Sequence, residues 1–282
     1  MRKTGIQSAA YAAGEDRYEK MRADGFETVD YQELCHTETP LFTSGTAEFE
    51  RILKNERRLA EAAGVGISQT HGPWRWPVHD YTPEERAERL EKMKLSLYGT
   101  AILGCRYMAI HPIMPFGHSM EDDSKTAEFM SMNHEFFSEL IKEAEKCDVV
   151  ICFENMPMVR LPIASPKTTS DFIRSFSSDY FKMCLDTGHG IIHNENPGDT
   201  IRRDADIIKI LHVHDNNGKN DFHWLPYNGV IDWADFTDSL AFLDENVALS
   251  LECRVPPKMP EPALTSCRRS LAKVAESIIG RI

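Results

Sequence analysis

The 282-residue sequence has no apolar run approaching the roughly 18 residues that a membrane span requires, so no membrane partner is expected. It also lacks a leader pattern. Met1-Arg2-Lys3 is not followed by a long apolar segment before Glu15 and Asp16, and the protein is expected in the cytoplasm. No C-x-x-C pair occurs among the seven cysteines, and an odd set with several members in apolar runs such as Val149-Val150-Ile151-Cys152-Phe153 reads as reduced, structural thiols. Basic charge is scarce: 32 Lys and Arg stand against 44 Asp and Glu, a formal charge of −12. Such a surface repels phosphate backbones, and the clusters Arg57-Arg58 and Arg268-Arg269 fall in helix-like stretches, so no nucleic-acid partner is expected. There is no G-x-G-x-x-G turn, which argues against a doubly wound dinucleotide-binding sheet.

What is present is a repeat of short apolar run, loop and amphipathic helix. Strands are expected at 4–9, 26–31, 65–70, 106–111, 148–154, 181–186, 208–214 and 247–252. Helices are expected near 15–23, 46–63, 82–103, 124–146, 168–177, 198–206, 233–243 and 265–280. Thr82-Pro83-Glu84-Glu85 has the form of a helix start, with Thr as cap and Pro in the first helical position; Ser170-Asp171 and Asp232-Trp233 have a similar form. Gly25, Gly64 and Gly104 stand where helices should end. Eight βα units of this length argue for a single (β/α)₈ TIM barrel spanning residues 1–282 as one domain. The longer loops, 32–45, 71–81, 112–123, 155–167, 215–231 and 253–264, all follow strands, which gathers them on one face.

Polar residues collect at that same face. Strand 5 ends in Glu154, strand 6 in Asp186 and strand 8 in Glu252; His212 lies near the end of strand 7, His111 ends strand 4, and His71 follows strand 3. A single such residue is explained by a solvated strand end; six strands in succession are not. Carboxylates brought together raise each other's pKa, and a divalent cation reverses that penalty. Mixed carboxylate and imidazole ligands suit Mn²⁺, Co²⁺ or Zn²⁺ better than Ca²⁺.

Phe153-Glu154-Asn155, Leu185-Asp186-Thr187-Gly188-His189, Leu211-His212-Val213-His214-Asp215-Asn216-Asn217, Gly229-Val230-Ile231-Asp232-Trp233 and Leu251-Glu252 together resemble the xylose isomerase-like barrel superfamily. The closer resemblance is to its sugar phosphate isomerase/epimerase branch, which includes the ketose 3-epimerases. That resemblance implies a metal held by Glu154, Asp186, His212 and Glu252, with Glu154 and Glu252 also transferring protons, and it makes His189 a substrate contact. The implied chemistry is proton abstraction beside a metal-chelated carbonyl, an enediolate, and proton return by the second glutamate. Return to the opposite face epimerises, return to the neighbouring carbon isomerises, and dehydration of a keto-polyol begins in the same way.

A more distant resemblance, to endonuclease IV, implies a multinuclear zinc site in which His71, His111, His189, Asp221 and His223 add ligands. Substrate contact is the other reading of these residues. The loops favour the small polyol over a duplex: 32–45 carries two Glu and no Lys or Arg, and 112–123 carries Glu121, Asp122 and Asp123 without a base. Trp74, in His71-Gly72-Pro73-Trp74-Arg75-Trp76, is expected to wall a sugar pocket, while Lys219 and Arg254, with Arg75, are candidates to meet a phosphate. Free sugar and sugar phosphate both remain open, as does a homo-oligomer.

Overall fold

The computed structural model describes residues 1–74, 77–256 and 258–280. Its eight strands are β1 (Thr4–Gln7), β2 (Thr28–Tyr31), β3 (Gly66–His71), β4 (Tyr107–Ile110), β5 (Val150–Glu154), β6 (Phe181–Asp186), β7 (Ile208–His212) and β8 (Leu249–Leu251). The helices are α1 (Arg17–Asp24), α2 (Pro40–Thr43), α3 (Thr46–Ala63), α4 (Pro83–Ile102), α5 (Thr126–Cys147), α6 (Pro166–Arg174), α7 (Thr187–Ile192), α8 (Pro197–Asp204), α9 (Trp233–Ser239) and α10 (Glu261–Ile278). The sheet runs β7-β6-β5-β4-β3-β2-β1-β8. Val213 N donates to Ser250 O (2.9 Å) and Glu252 N to Val213 O (3.0 Å), joining the two end strands and closing the ring. The expected (β/α)₈ barrel is formed.

Most elements lie where periodicity places them, and the departures have local causes. The third and sixth strands have the expected length, and the other six are shorter at one end or both; 247–252, for example, contracts to Leu249–Leu251. Helix α6 begins at Pro166, with Ser165 accepting from Thr168 N, and not at Ser170-Asp171. Pro at the first helical position is pre-set in φ, so Ser165-Pro166 is the stronger start. Ser170 is instead buried within α6 and donates to Asp204 Oδ1 at 2.6 Å. The Thr82 capping box forms, and Asp232 caps α9 as expected. Helices α2 and α7, four and six residues long, were not expected; neither is long enough for a periodic signal.

Alternation along the strands sorts side chains into two layers. Ala109, Val150, Cys152, Cys184 and Ile210 form one buried cluster lining the barrel interior. Ile151, Phe153, Phe181 and Met183 point outward against the helices. Behind β5 and β6, the Phe137 and Phe153 rings meet edge-on at 4.9 Å, and Phe153 lies 5.3 Å from Phe172. Burying each such side chain contributes roughly 1.5–3 kcal/mol. That packing fixes the two strands whose inward series, Val150-Cys152-Glu154 and Cys184-Asp186, ends at the barrel mouth.

Candidate active site

The inward register delivers the expected residues to one place. Glu154, Asp186 and His212 end their strands, Glu252 is one residue past β8, and an oxygen or nitrogen from each lies within 4.8 Å of the others. Glu154 Oε1 is 3.1 Å and Glu252 Oε2 3.5 Å from the same nitrogen, His212 Nδ1. Asp186 caps α7 by accepting from His189 N (2.6 Å), and its other oxygen accepts from His214 Nε2 at 3.0 Å. A Cβ on Gly188 would come within 2.0 Å of that His214 ring, so only glycine fits between Asp186 and its partner.

The remaining histidines surround this centre. His71 ends β3 and His111 follows β4; their Nε2 atoms are 3.2 Å apart, and His111 Nε2 is 3.1 Å from Glu154 Oε2. His189 Nδ1–H donates to Asn155 O (2.8 Å), while its Nε2 lies 3.5 Å from Asp221 Oδ2. Asp221 also meets His223 Nε2 at 3.1 Å. Asp221 and His223 project inward from the loop after β7, and Asp215 organises that loop. It accepts from Gly229 N (2.9 Å), Val230 N (3.1 Å) and Trp233 Nε1 (2.9 Å). A Cβ on Gly229 would lie 2.0 Å from Asn216 O, which is why this turn carries glycine.

Two further groups could hold a cation: His71 with Glu154 and His212, and His189 with His214, Asp221 and His223. The residues fit a metal on their own terms. His212 is fully buried, yet both its ring nitrogens lack a well-directed hydrogen bond; His111 Nδ1, His214 Nδ1 and Asp221 Oδ1 are likewise buried without one. Burial opposes charge on Glu154, but the His212 and His111 rings hold its carboxyl well below the usual range. Burial brings His111 down to about 4, keeping it neutral. Burial acts the same way on His189 and His223 and is outweighed, chiefly by Asp186 at His189 and by Asp221 at His223; they rise to about 10 and about 9. Without a metal, protons on these rings supply the positive charge that the carboxylates demand.

A cleft of about 740 Å³ opens above the centre, lined by His71, Trp74, His111, His189, Asp221 and Glu252 among others. Trp74 is half-buried and edge-on to His111, 4.4 Å between ring centres. Lys219 and Arg254 are exposed and do not line the cleft; Arg75 and Trp76 lie outside the described residues. His36 is exposed at the cleft's edge. Sequence reasoning gave no role to Asn155, whose amide exchanges two 2.9 Å hydrogen bonds with the Asp186 backbone, nor to Asp30 and Gln32 on and beyond β2. Asp30 carried the signal used elsewhere, an acid near a strand end, but one position short of it.

A family profile described as "Xylose isomerase-like TIM barrel" matches residues 18–273. Uncharacterized protein y4fM of Sinorhizobium fredii is 24% identical over 203 residues, 69% of this chain and 61% of that protein. The chain thus spans about three fifths of that relative's length. D-psicose 3-epimerase of Enterocloster bolteae is 27% identical over 241 residues, 83% of this chain and 74% of the relative. A crystal structure of D-psicose 3-epimerase in the presence of D-fructose superimposes with a TM-score of 0.79 at 16% identity, covering 99% of each chain. None of the described helices is long and apolar enough to cross a membrane.

Proposed function

The chain belongs to the xylose isomerase-like TIM barrel family, and from that premise we propose that it is a divalent-metal-dependent isomerase or epimerase of a small, unphosphorylated sugar or polyol derivative. One observation carries the reading: two glutamates, Glu154 and Glu252, flank a single ring nitrogen of His212 at 3.1 and 3.5 Å and face one cleft. Two carboxylates so disposed can serve as an acid/base pair as well as ligands. The D-psicose 3-epimerase relative supports the same class. No Lys or Arg is among the described residues lining the cleft, which supports a substrate without a phosphate.

Glu154, Asp186, His212 and Glu252 would hold one Mn²⁺, Co²⁺ or Zn²⁺ ion. When bound, the ion would polarise a carbonyl and stabilise negative charge developing beside it. Glu154 and Glu252 then divide the proton transfers, one removing the carbon-bound proton and the other returning one. Neutral His111 and cationic His189 are available to orient substrate hydroxyls. Trp74 offers an apolar wall for the sugar's C–H face. Seven unpaired thiols support a cytoplasmic setting.

Mn²⁺- or Co²⁺-loaded protein incubated with ketoses and aldoses in deuterated water is expected to exchange a carbon-bound hydrogen. Glu154→Gln and Glu252→Gln should each lower that exchange on the order of 10²–10⁴-fold with the fold unchanged by circular dichroism. Full activity in either variant after metal removal and reloading would exclude the two-glutamate mechanism. The two histidine-rich ligand groups beside the quartet favour a second reading, a multinuclear zinc phosphodiesterase. Three equivalents of zinc per chain, with cleavage of an abasic-site duplex and no hydrogen exchange, would decide for it.

A further inference from the structure

Strand β2 contributes nothing to the ligand quartet, yet it buries a carboxylate at the same depth. Asp30 is fully buried, with Oδ2 3.2 Å from His212 Nε2, the nitrogen turned away from the glutamates; its Oδ1 has no hydrogen-bond partner. An uncompensated carboxylate in a barrel interior costs several kcal/mol by desolvation, so its placement calls for a specific counterpart. Two residues on, with the same inward parity, Gln32 Nε2 donates to Glu252 Oε1 at 2.9 Å and lies 3.4 Å from Asp30 Oδ2. Gln32 is itself tied to the residue after β1, its N–H donating to Ser8 Oγ at 3.0 Å. Between them, Tyr31 faces the opposite way, into the cluster with Leu34, Phe49 and Leu53, and locks the strand's register.

We propose that Asp30 and Gln32 are positioning residues of the metal centre, Asp30 setting the tautomer and ring orientation of His212 and Gln32 holding one oxygen of Glu252 so that the other faces the ligand cluster. A carboxylate beside Nε2 keeps the ring proton there, which leaves the Nδ1 lone pair directed at the space between Glu154 and Glu252. A ligand held from behind in this way is available to a cation without rotating. For Glu252, the amide donor at Oε1 divides the carboxylate into an anchored oxygen and a working one. The Asp30 assignment concerns metal binding alone; the Gln32 assignment rests also on Glu252 transferring protons.

The test begins with the full-length protein loaded with Co²⁺, read by its visible d–d spectrum and by competition against a chelating dye. Asp30→Asn is expected to weaken Co²⁺ binding 10–100-fold and to alter the spectrum. Gln32→Met should leave affinity within about threefold while lowering kcat about tenfold or more at unchanged KM, the mark of a group that acts only after substrate is bound. Unchanged Co²⁺ affinity and spectrum in Asp30→Asn would overturn the assignment of Asp30, and unchanged kcat would overturn that of Gln32. Should Asp30→Asn fail to fold, ¹⁵N spectra of the histidines in zinc-loaded wild type decide: His212 protonated at Nε2 is the expected result, and protonation at Nδ1 overturns it. Because the metal readouts need no substrate, a protein that shows these Asp30 effects but turns over no sugar would sink the proposed reaction and leave the Asp30 inference standing.

Discussion

Between α1 and α10 the carboxylate of Asp24 is buried against cations, whereas at the barrel mouth the carboxylates of Glu154, Asp186 and Asp30 are buried among histidines and one another. Every oxygen of Asp24 is partnered: Oδ1 by Arg269 Nε at 3.0 Å, Oδ2 by Arg268 Nε at 3.0 Å and Tyr11 OH at 3.2 Å. The cluster neutralises itself and needs nothing from outside. At the mouth, Asp30 Oδ1, Asp221 Oδ1, His111 Nδ1, His214 Nδ1 and His212 Nδ1 are buried without hydrogen-bond partners. Equal burial therefore means different things. A charge cluster that closes on its own partners is architecture, and one whose buried donors and acceptors stay unpaired has the character of a binding site.

The sharpest way to break this contrast is to open the closed cluster. Asp24→Asn removes the buried carboxylate that faces Arg268, and breaking a buried pair costs about 3–5 kcal/mol. The urea midpoint should fall accordingly, while metal uptake per folded molecule stays as in the wild type. A variant that kept its stability but lost metal would mean that the two regions are coupled and that the distinction is false.

A smaller effect is expected from emptying and filling the open cluster. Metal at about 100 times its dissociation constant stabilises by about 2.7 kcal/mol, which for a chain of this size corresponds to a rise in Tm of about 5 °C. In metal-free protein, His189 at about 10 and His223 at about 9 lie above the ordinary 6.5, so both gain stability from being protonated in the fold. That contribution is fully present below 6.5 and is lost as pH rises through about 9 and about 10. Calorimetry should therefore find the metal-free Tm falling on the alkaline side while the metal-loaded Tm falls less, because metal takes the place of the departing protons. Parallel curves would show that the histidine protons do not supply the missing charge.

Much of this was legible in the sequence, for reasons that also explain what was not. The four residues that converge at the mouth could be found because strand ends are marked by the change from apolar runs to loops, and Glu154, Asp186 and Glu252 stand at that change. The closed ring followed from counting βα units. Asp30 escaped because the chain continues through Tyr31 to Gln32, so an inward acid one step before a strand end looks like any polar residue of an edge. Helix α7 escaped because its six residues are dictated by the Asp186 cap and the Gly188 contact with His214, a tertiary constraint without periodicity. Register between non-neighbouring elements is what a single sequence withholds.

The smallest expected effect tests how far the open cluster extends. Lys219 and Arg254 are cations on the loops after β7 and β8, and Arg254, two residues past Glu252, would share its face if the strand continued, which made them candidates to meet a phosphate. Both are exposed and neither lines the cleft. An exposed cation held only by solvent contributes little to binding a neutral sugar, since water and salt screen it. Lys219→Ala and Arg254→Ala should each change kcat/KM for an unphosphorylated ketose by less than about twofold, the scale on which isolated surface charges act. A loss confined to a phosphorylated substrate, on the order of tenfold and diminishing with added salt, would instead extend the functional surface outward to these loops and favour the sugar phosphate reading.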